Sequence, residues 1–270
     1  MTDSGQPSPR WRYRLSKLRP RTRRLVHQAI AKTGFDAVPM GGIRHAIGRR
    51  ARLLRALAVD LVIDVGANTG QFGSEIRGAG YAGRIVSLEP LSEAYGELRI
   101  RANRDGNWAA IRCAIGESDG ESTIHVAGNS ASSSLLDMLP AHEEAAPETR
   151  YVGDERVTVR RLESILSEYA ETCARPYLKV DVQGYELAVL RGAGTSLESV
   201  AAIQLELSLA RLYHGAPMAS EVDAFVTAAG YRLAGIEPGF TDPASGRLLQ
   251  MDGIYVRSDL LADLPGGASP

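Results

Sequence analysis

Apolar residues recur along this chain in two alternating rhythms. Short runs rich in β-branched residues come first, beginning with Leu61-Val62-Ile63-Asp64-Val65, which ends at Gly66. Ile85-Val86-Ser87-Leu88 follows and stops at Glu89-Pro90, because a proline pushes the residue before it out of helical geometry. The pattern predicts further strands over 109–115, 177–182, 201–207, 231–236 and 253–256. Between them it predicts helices over 70–77, 93–102 and 219–229, and one starting near Gly184. Strands alternating with helices predict an α/β fold with a doubly wound, mostly parallel seven-stranded sheet and helices on both faces.

Two segments break this rhythm. Upstream of the first strand, Leu15, Leu18, Leu25, Val26 and Ala29 allow a basic amphipathic helix over 11–30, interrupted by Pro20, and a second helix over 43–57. The chain therefore divides into a basic tail and helical extension (1–55), one α/β domain (56–260) and a C-terminal tail expected to be flexible (261–270). Residues 116–160 carry Gly116, Gly120, Gly128 and the run Ser130-Ala131-Ser132-Ser133-Ser134. They predict a short hairpin around Ser122–Val126 and a mobile loop, an insertion of the kind that carries specificity.

Charge sharpens the picture at the N-terminus. The net charge is only −1, yet residues 1–55 hold fourteen Lys/Arg against Asp3 and Asp36, leaving seventeen basic and thirty acidic residues beyond. Such a segment either stays solvated or meets an anionic partner, a membrane surface before a nucleic acid, since only Trp11 and Tyr13 interrupt the basic run. The two cysteines, Cys113 and Cys173, form no C-x-x-C pair, which removes zinc and redox motifs. No apolar run approaches the roughly 18 residues of a membrane helix, and the Arg-bearing N-terminus lacks the apolar stretch of a secretory signal. The expected location is the cytoplasm, with the basic segment able to touch the inner face of the membrane.

Candidate chemistry concentrates where the first strand ends. In Val62-Ile63-Asp64-Val65-Gly66-Ala67-Asn68-Thr69-Gly70-Gln71-Phe72 the backbone turns on Gly66 and a helix opens after Gly70. Small residues there let a cofactor approach the main chain. Glu89 ends the next strand, where an acid can accept hydrogen bonds from ribose hydroxyls. Dinucleotide loops need G-x-G-x-x-G to seat a pyrophosphate, but here Asn68 stands at the second glycine. Asparagine suits the carboxylate or amine of an amino-acid moiety instead.

These motifs, with Ala114-Ile115-Gly116, Arg161-Leu162-Glu163-Ser164-Ile165-Leu166 and Leu178-Lys179-Val180-Asp181-Val182-Gln183-Gly184-Tyr185-Glu186, resemble the FkbM family of S-adenosylmethionine (SAM)-dependent methyltransferases over roughly residues 60 to 257. The resemblance implies a class I, Rossmann-like methyltransferase fold, SAM as donor and a hydroxyl acceptor on a sugar, polyketide or glycolipid. It implies that Asp64, Gly66, Asn68, Gly70 and Gln71 cradle the methionine end. Glu89, followed by Pro90, holds the ribose, and Ala114 and Ile115 flank the adenine.

Methyl transfer to an alcohol needs the hydroxyl proton removed, by a general base or by a cation that acidifies it. Asp181 and Glu206 stand at the ends of adjacent predicted strands and form a candidate magnesium pair. Asp181 can equally cap the following helix, and Glu206 can pair with an arginine. His214 is the first candidate base and His125 the second, with Asp181 and Asp252 as further carboxylates toward the acceptor. Tyr185 and Tyr213 can line the pocket or simply pack. Two rival classes are an NAD-dependent oxidoreductase, which the missing glycine and absent Tyr-x-x-x-Lys pair oppose, and a silent SAM-binding module acting through its basic arm.

Overall fold

A computed structural model describes residues 42–43, 45–169 and 172–264. The chain divides into two units, Met1–Arg50 and Ala51–Pro270. The helix expected over 11–30 lies outside the described residues.

Helix α1 (Ala46–Ala56) leads into strand β1 (Leu61–Val65), whose five residues are all buried. Both faces of such a strand are covered, as in parallel sheets generally. The chain continues through α2 (Gln71–Gly78), β2 (Arg84–Leu88), α3 (Ser92–Ala102) and β3 (Trp108–Ile111). After the insertion come α5 (Leu162–Tyr169), β7 (Pro176–Val180), α6 (Glu186–Arg191), β8 (Ala202–Ser208), α7 (Ala219–Ala228), β9 (Tyr231–Pro238), β10 (Gln250–Arg257) and α8 (Ser258–Ala262). The seven-stranded sheet has the order β3-β2-β1-β7-β8-β10-β9. The pairings from β3 to β8 are parallel, and β10 lies antiparallel between β8 and β9.

Side chains alternate across this sheet and build two cores. Val62, Ile85, Tyr177, Ala202 and Val256 face Leu54, Leu57, Phe72 and Ile76 on one side. Ile63, Val86, Leu178 and Ile203 face Leu162, Ile165, Val189, Val222 and Val226 on the other. Helices on both faces are what the sequence rhythm predicts.

Two expectations change. The single strand expected over 109–115 splits, because β3 ends at Ile111 and β4 (Ala114–Gly116) joins a second sheet. Its partner is β6 (Tyr151–Arg161), with Ala114 beside Val159, a pairing between residues too distant for local periodicity to reveal. The short hairpin expected near 122–126 is a long one, β5 (Gly120–Ala127) against β6. Residues between them fold into 3₁₀ turns at Ser130–Ser132 and Pro147–Thr149 and a helix α4 (Pro140–Ala145). In β6 the only fully buried positions are Val157 and Val159, so its alternation is faint in the sequence.

Candidate active site

Parallel register brings the ends of β1, β2, β7 and β8 to one edge, with Val65 paired to Leu88 and Val180, and Val180 to Leu205. Turns leaving such an edge form the ligand crevice of open α/β sheets. Asp64, Glu89, Asp181 and Glu206 all sit there.

The β1–α2 turn is held by main-chain bonds from Gly66 and Ala67 to the Leu88 carbonyl, each 3.0 Å. Gly66, Asn68 and Gly70 have φ of 76°, 47° and 88°. A Cβ at Gly66 would lie 1.8 Å from the Asp181 carbonyl oxygen, so glycine here lets β1 and β7 close up. A Cβ at Gly70 would meet Leu98 and the Trp108 indole. Asn68 tolerates its left-handed geometry by accepting from its neighbour, the Thr69 N–H (2.7 Å), and from Gln71 Nε2 (3.2 Å). Its Nδ2 donates to Ser130 Oγ at 2.9 Å, tying the turn to the insertion.

Glu89 accepts from the main-chain N–H groups of Asn68 (2.8 Å) and Leu91 (2.9 Å), one on each oxygen. Burial pushes its pKa up to about 7, against the pull of those two N–H groups. Asp64 is fully buried, and its Oδ2 accepts from Ser87 Oγ (3.2 Å), which accepts from the Trp108 indole (3.0 Å).

The second half of the site grows from β7 and β8. Lys179 is buried beside Asp181, with Nζ donating to Asp181 Oδ2 at 2.9 Å. Burial opposes its charge, but the carboxylates of Asp181, Asp64 and Asp252 outweigh burial and hold the ammonium firmly protonated. Gln183 Nε2 donates to Asp181 Oδ1 and to Glu206 Oε2, both at 2.8 Å. Gln250 Nε2 donates to the same Glu206 oxygen at 2.8 Å. Burial, reinforced by Asp181, Glu186 and Asp252, raises Glu206 well above its ordinary carboxylate value. Tyr213, buried under the insertion, donates from its hydroxyl to Gln183 Oε1 at 2.8 Å.

This arrangement corrects several expectations. Asp181 does not cap the next helix, whose first flanking residue is Tyr185, and the hydrogen bonds of Glu206 come from amides, not from arginine. The pair does not fit magnesium: an amide NH₂ points at both carboxyls and an ammonium holds Asp181. Among the described residues no group of three His, Cys, Asp or Glu converges to hold a metal ion. His214 lies exposed on a turn, its main-chain N–H bonded to Asp137 O, and its imidazole takes no part in the Asp181–Gln183–Glu206–Tyr213 network. His125 sits in the second sheet, between Asp154 (2.6 Å) and Asp137 (3.3 Å) and stacked on Tyr151. Asp252 is register-paired with Glu206. Pro90 is buried, and its carbonyl accepts from Arg112. Ala114 and Ile115 are 6% and 2% exposed and pack in core clusters, while Tyr185 lies beside Gly116.

Lys179, Gln183 and Gln250 are the site members that sequence reasoning did not single out. Lys179 and Gln183 were visible inside the Lys179–Glu186 motif, at spacing two on either side of Asp181. Gln250 carried no signal, because antiparallel β10 brings it in from 44 residues away.

Among curated proteins none matches the sequence. Solved structures with a similar fold include an FkbM methyltransferase from Methylobacillus flagellatus KT (TM-score 0.46, 15% identity, covering 72% of this chain and 43% of that one). The chain thus spans under half of that protein's length. TehB from Haemophilus influenzae gives a TM-score of 0.43 at 7% identity, covering 78% of this chain and 62% of that one. The 1,6-didemethyltoxoflavin-N1-methyltransferase of Burkholderia thailandensis gives 0.39 at 14% identity, covering 78% of each chain. The model of the methyltransferase FkbM domain matches residues 64–233, from the buried aspartate of β1 to the middle of β9. That match spans every element that builds the crevice except β10; the chain belongs to the FkbM methyltransferase family.

Proposed function

We propose that this methyltransferase uses SAM to methylate a hydroxyl group, on a sugar of a glycolipid or on a polyketide-type acceptor. The observation that carries this reading is Asp181. It is a partly exposed carboxylate at the crevice edge, held on one oxygen by a buried ammonium and on the other by an amide. The cofactor half of the crevice suits SAM, because Asp64 and Glu89 can take the amine and ribose hydroxyl donors that a pyrophosphate lacks. SAM supplies a methyl carbon on a positively charged sulfur, which departs as a neutral thioether. As the acceptor oxygen forms its bond to that carbon, Asp181 receives the hydroxyl proton. Lys179 stays charged and keeps Asp181 in place.

Glu206→Gln keeps the size of the side chain and an oxygen that accepts from the two amides, so turnover should stay within about threefold of the parent enzyme. A hundredfold loss would show that Glu206 works as a carboxylate. Stability carries a matching sign. Folding holds the Glu206 proton more tightly than the unfolded chain does, so this stabilisation is full at low pH and fades as pH rises past the ordinary carboxylate range. The Tm of Glu206→Gln relative to the parent should therefore be higher at pH 8 than at pH 5; equal differences at both would contradict an upward shift of Glu206.

Asp64→Ala and Glu89→Ala should each weaken SAM binding at least about tenfold by calorimetry. Unchanged affinity in both would overturn the cofactor assignment. The reading as a whole is tested with methyl-labelled SAM and a lipid extract, then an aqueous metabolite extract. Oxygen-linked label in the lipid phase supports a glycolipid acceptor and gives the basic residues 1–55 a role at an anionic surface. Oxygen-linked label only in the aqueous phase points to a soluble acceptor. Label on nitrogen or carbon sinks the O-methyl reading.

A further inference from the structure

Gln183 makes three side-chain hydrogen bonds in the crevice, and nothing in methyl transfer itself calls for an amide. It is buried between Val182 and Gly184 with φ of +56°, in the left-handed region that a side chain other than Asn, Asp or Gly seldom adopts. Holding it there costs on the order of 1–2 kcal/mol. The surroundings return that cost through four hydrogen bonds. Nε2 donates one N–H to Asp181 Oδ1 and the other to Glu206 Oε2, while Oε1 accepts from Tyr213. The main-chain carbonyl accepts from Ser134 Oγ at 2.7 Å. Every polar group of the side chain is thus used once, which fixes its orientation: NH₂ toward the two carboxyls, oxygen toward the phenol.

From this geometry we infer that Gln183 is a positioning residue for the acceptor half of the site, setting the carboxylate plane of Asp181 by clamping Oδ1 while Lys179 clamps Oδ2. The inference deepens the O-methyltransferase reading and rests on it. Two anchors on opposite oxygens leave Asp181 one rotamer, with the remaining lone pairs open to the acceptor hydroxyl. The same amide ties Asp181 to strand β8 through Glu206 and toward the insertion through Tyr213, while Ser134 of the insertion holds the Gln183 main-chain carbonyl. The insertion also reaches the cofactor turn, where Ser130 accepts from Asn68, and the Ser132 carbonyl lies 3.2 Å from the Tyr213 hydroxyl. The serine run thus contacts both halves of the crevice, and Gln183 is its contact on the acceptor side.

An amide is required for this role, because only an amide offers two donors on one atom and an acceptor on the other. Glutamate has the same shape and still accepts from Tyr213, but it loses both donors and sets a third carboxyl against Asp181 and Glu206. Glycine suits the positive φ, so Gln183→Gly removes the side chain while relaxing the backbone.

The test uses the full chain, with label transfer to the acceptor extract, SAM calorimetry and hydrogen exchange read together. Both Gln183→Glu and Gln183→Gly should fold and bind SAM within about threefold of the parent, yet lose about a hundredfold in kcat at saturating SAM. In Gln183→Gly, exchange should rise at 133–139 and around Tyr213, because the phenol loses the shorter of its two acceptors and keeps only the Ser132 carbonyl. Retention of kcat within threefold by either variant would overturn the inference. So would an equal loss of SAM affinity and kcat, or failure of both to fold, since either marks a structural role only. If the parent chain transfers no label to oxygen while the exchange change still occurs, it is the O-methyl reading that has failed, not the link from Gln183 to the insertion.

Discussion

Replacing Asp181 with asparagine should lower turnover by about 10²- to 10⁴-fold, the range that a positioned general base contributes. Asparagine keeps the size of the side chain and can still accept from Lys179 with its single oxygen. It cannot take a proton, and its NH₂ would face the Gln183 amide that Asp181 Oδ1 accepts from. The cofactor half is separately held, with Glu89 bonded to the β1–α2 turn and Asp64 to Ser87. SAM affinity should therefore stay within about threefold while kcat collapses. Calorimetry and single-turnover label transfer separate the two. Full turnover would remove Asp181 as the proton acceptor. A parallel loss of SAM affinity would move it to the cofactor side.

The second large effect falls on stability. Gly66→Ala puts a Cβ 1.8 Å from the Asp181 carbonyl oxygen, at a residue whose φ is +76°. The left-handed conformation alone costs an L-residue roughly 1–2 kcal/mol. The overlap adds more, since the obstructing atom is main chain and no rotamer change relieves it. A total of about 4 kcal/mol or more is expected, which lowers the Tm by roughly 8–16 °C for a domain of this size. Gly80→Ala is the control. Its φ is +93°, but nothing lies within 4 Å of the new Cβ, so only the conformational cost of about 1–2 kcal/mol applies. Equal melting shifts in the two variants would show that the contact between β1 and the Asp181 turn carries no special weight. Any displacement of the Asp181 carbonyl also disturbs the proton acceptor, so surviving Gly66→Ala enzyme should be slow as well as unstable.

Much of the architecture was legible in the chain. Apolar runs such as Leu61–Val65 and Tyr177–Val180 announce buried parallel strands because both faces of each are covered, leaving no polar alternation to confuse the pattern. The turn at Gly66, Asn68 and Gly70 was readable because positive φ restricts the residue type at each position, a local demand that leaves a local mark. Glu89 was readable for the same reason, as it closes the strand that follows.

The acceptor half was only half visible. Asp181 and Glu206 were found from their places at strand ends, but their roles depend on neighbours that chain order does not reveal. Burial and three nearby carboxylates raise Glu206 well above its ordinary value, and Lys179 and Gln183 turn an apparent metal pair into an ion pair joined to a buried acid. His214 looked like a base because its side chain suits the chemistry, yet the turn at 213–215 leaves it exposed while Tyr213 points inward. The insertion misled for a further reason: β6 buries few residues and finds its partners, β4 and β5, only in the folded chain. Strand periodicity, turn chemistry and the family motifs are properties of neighbouring residues, so the sequence by itself determined the sheet, the geometry of the β1–α2 turn and the family. Protonation states, the grip on Asp181 and the place of the insertion depend on groups brought together from distant segments, through desolvation and hydrogen bonds, and only the tertiary structure decided them.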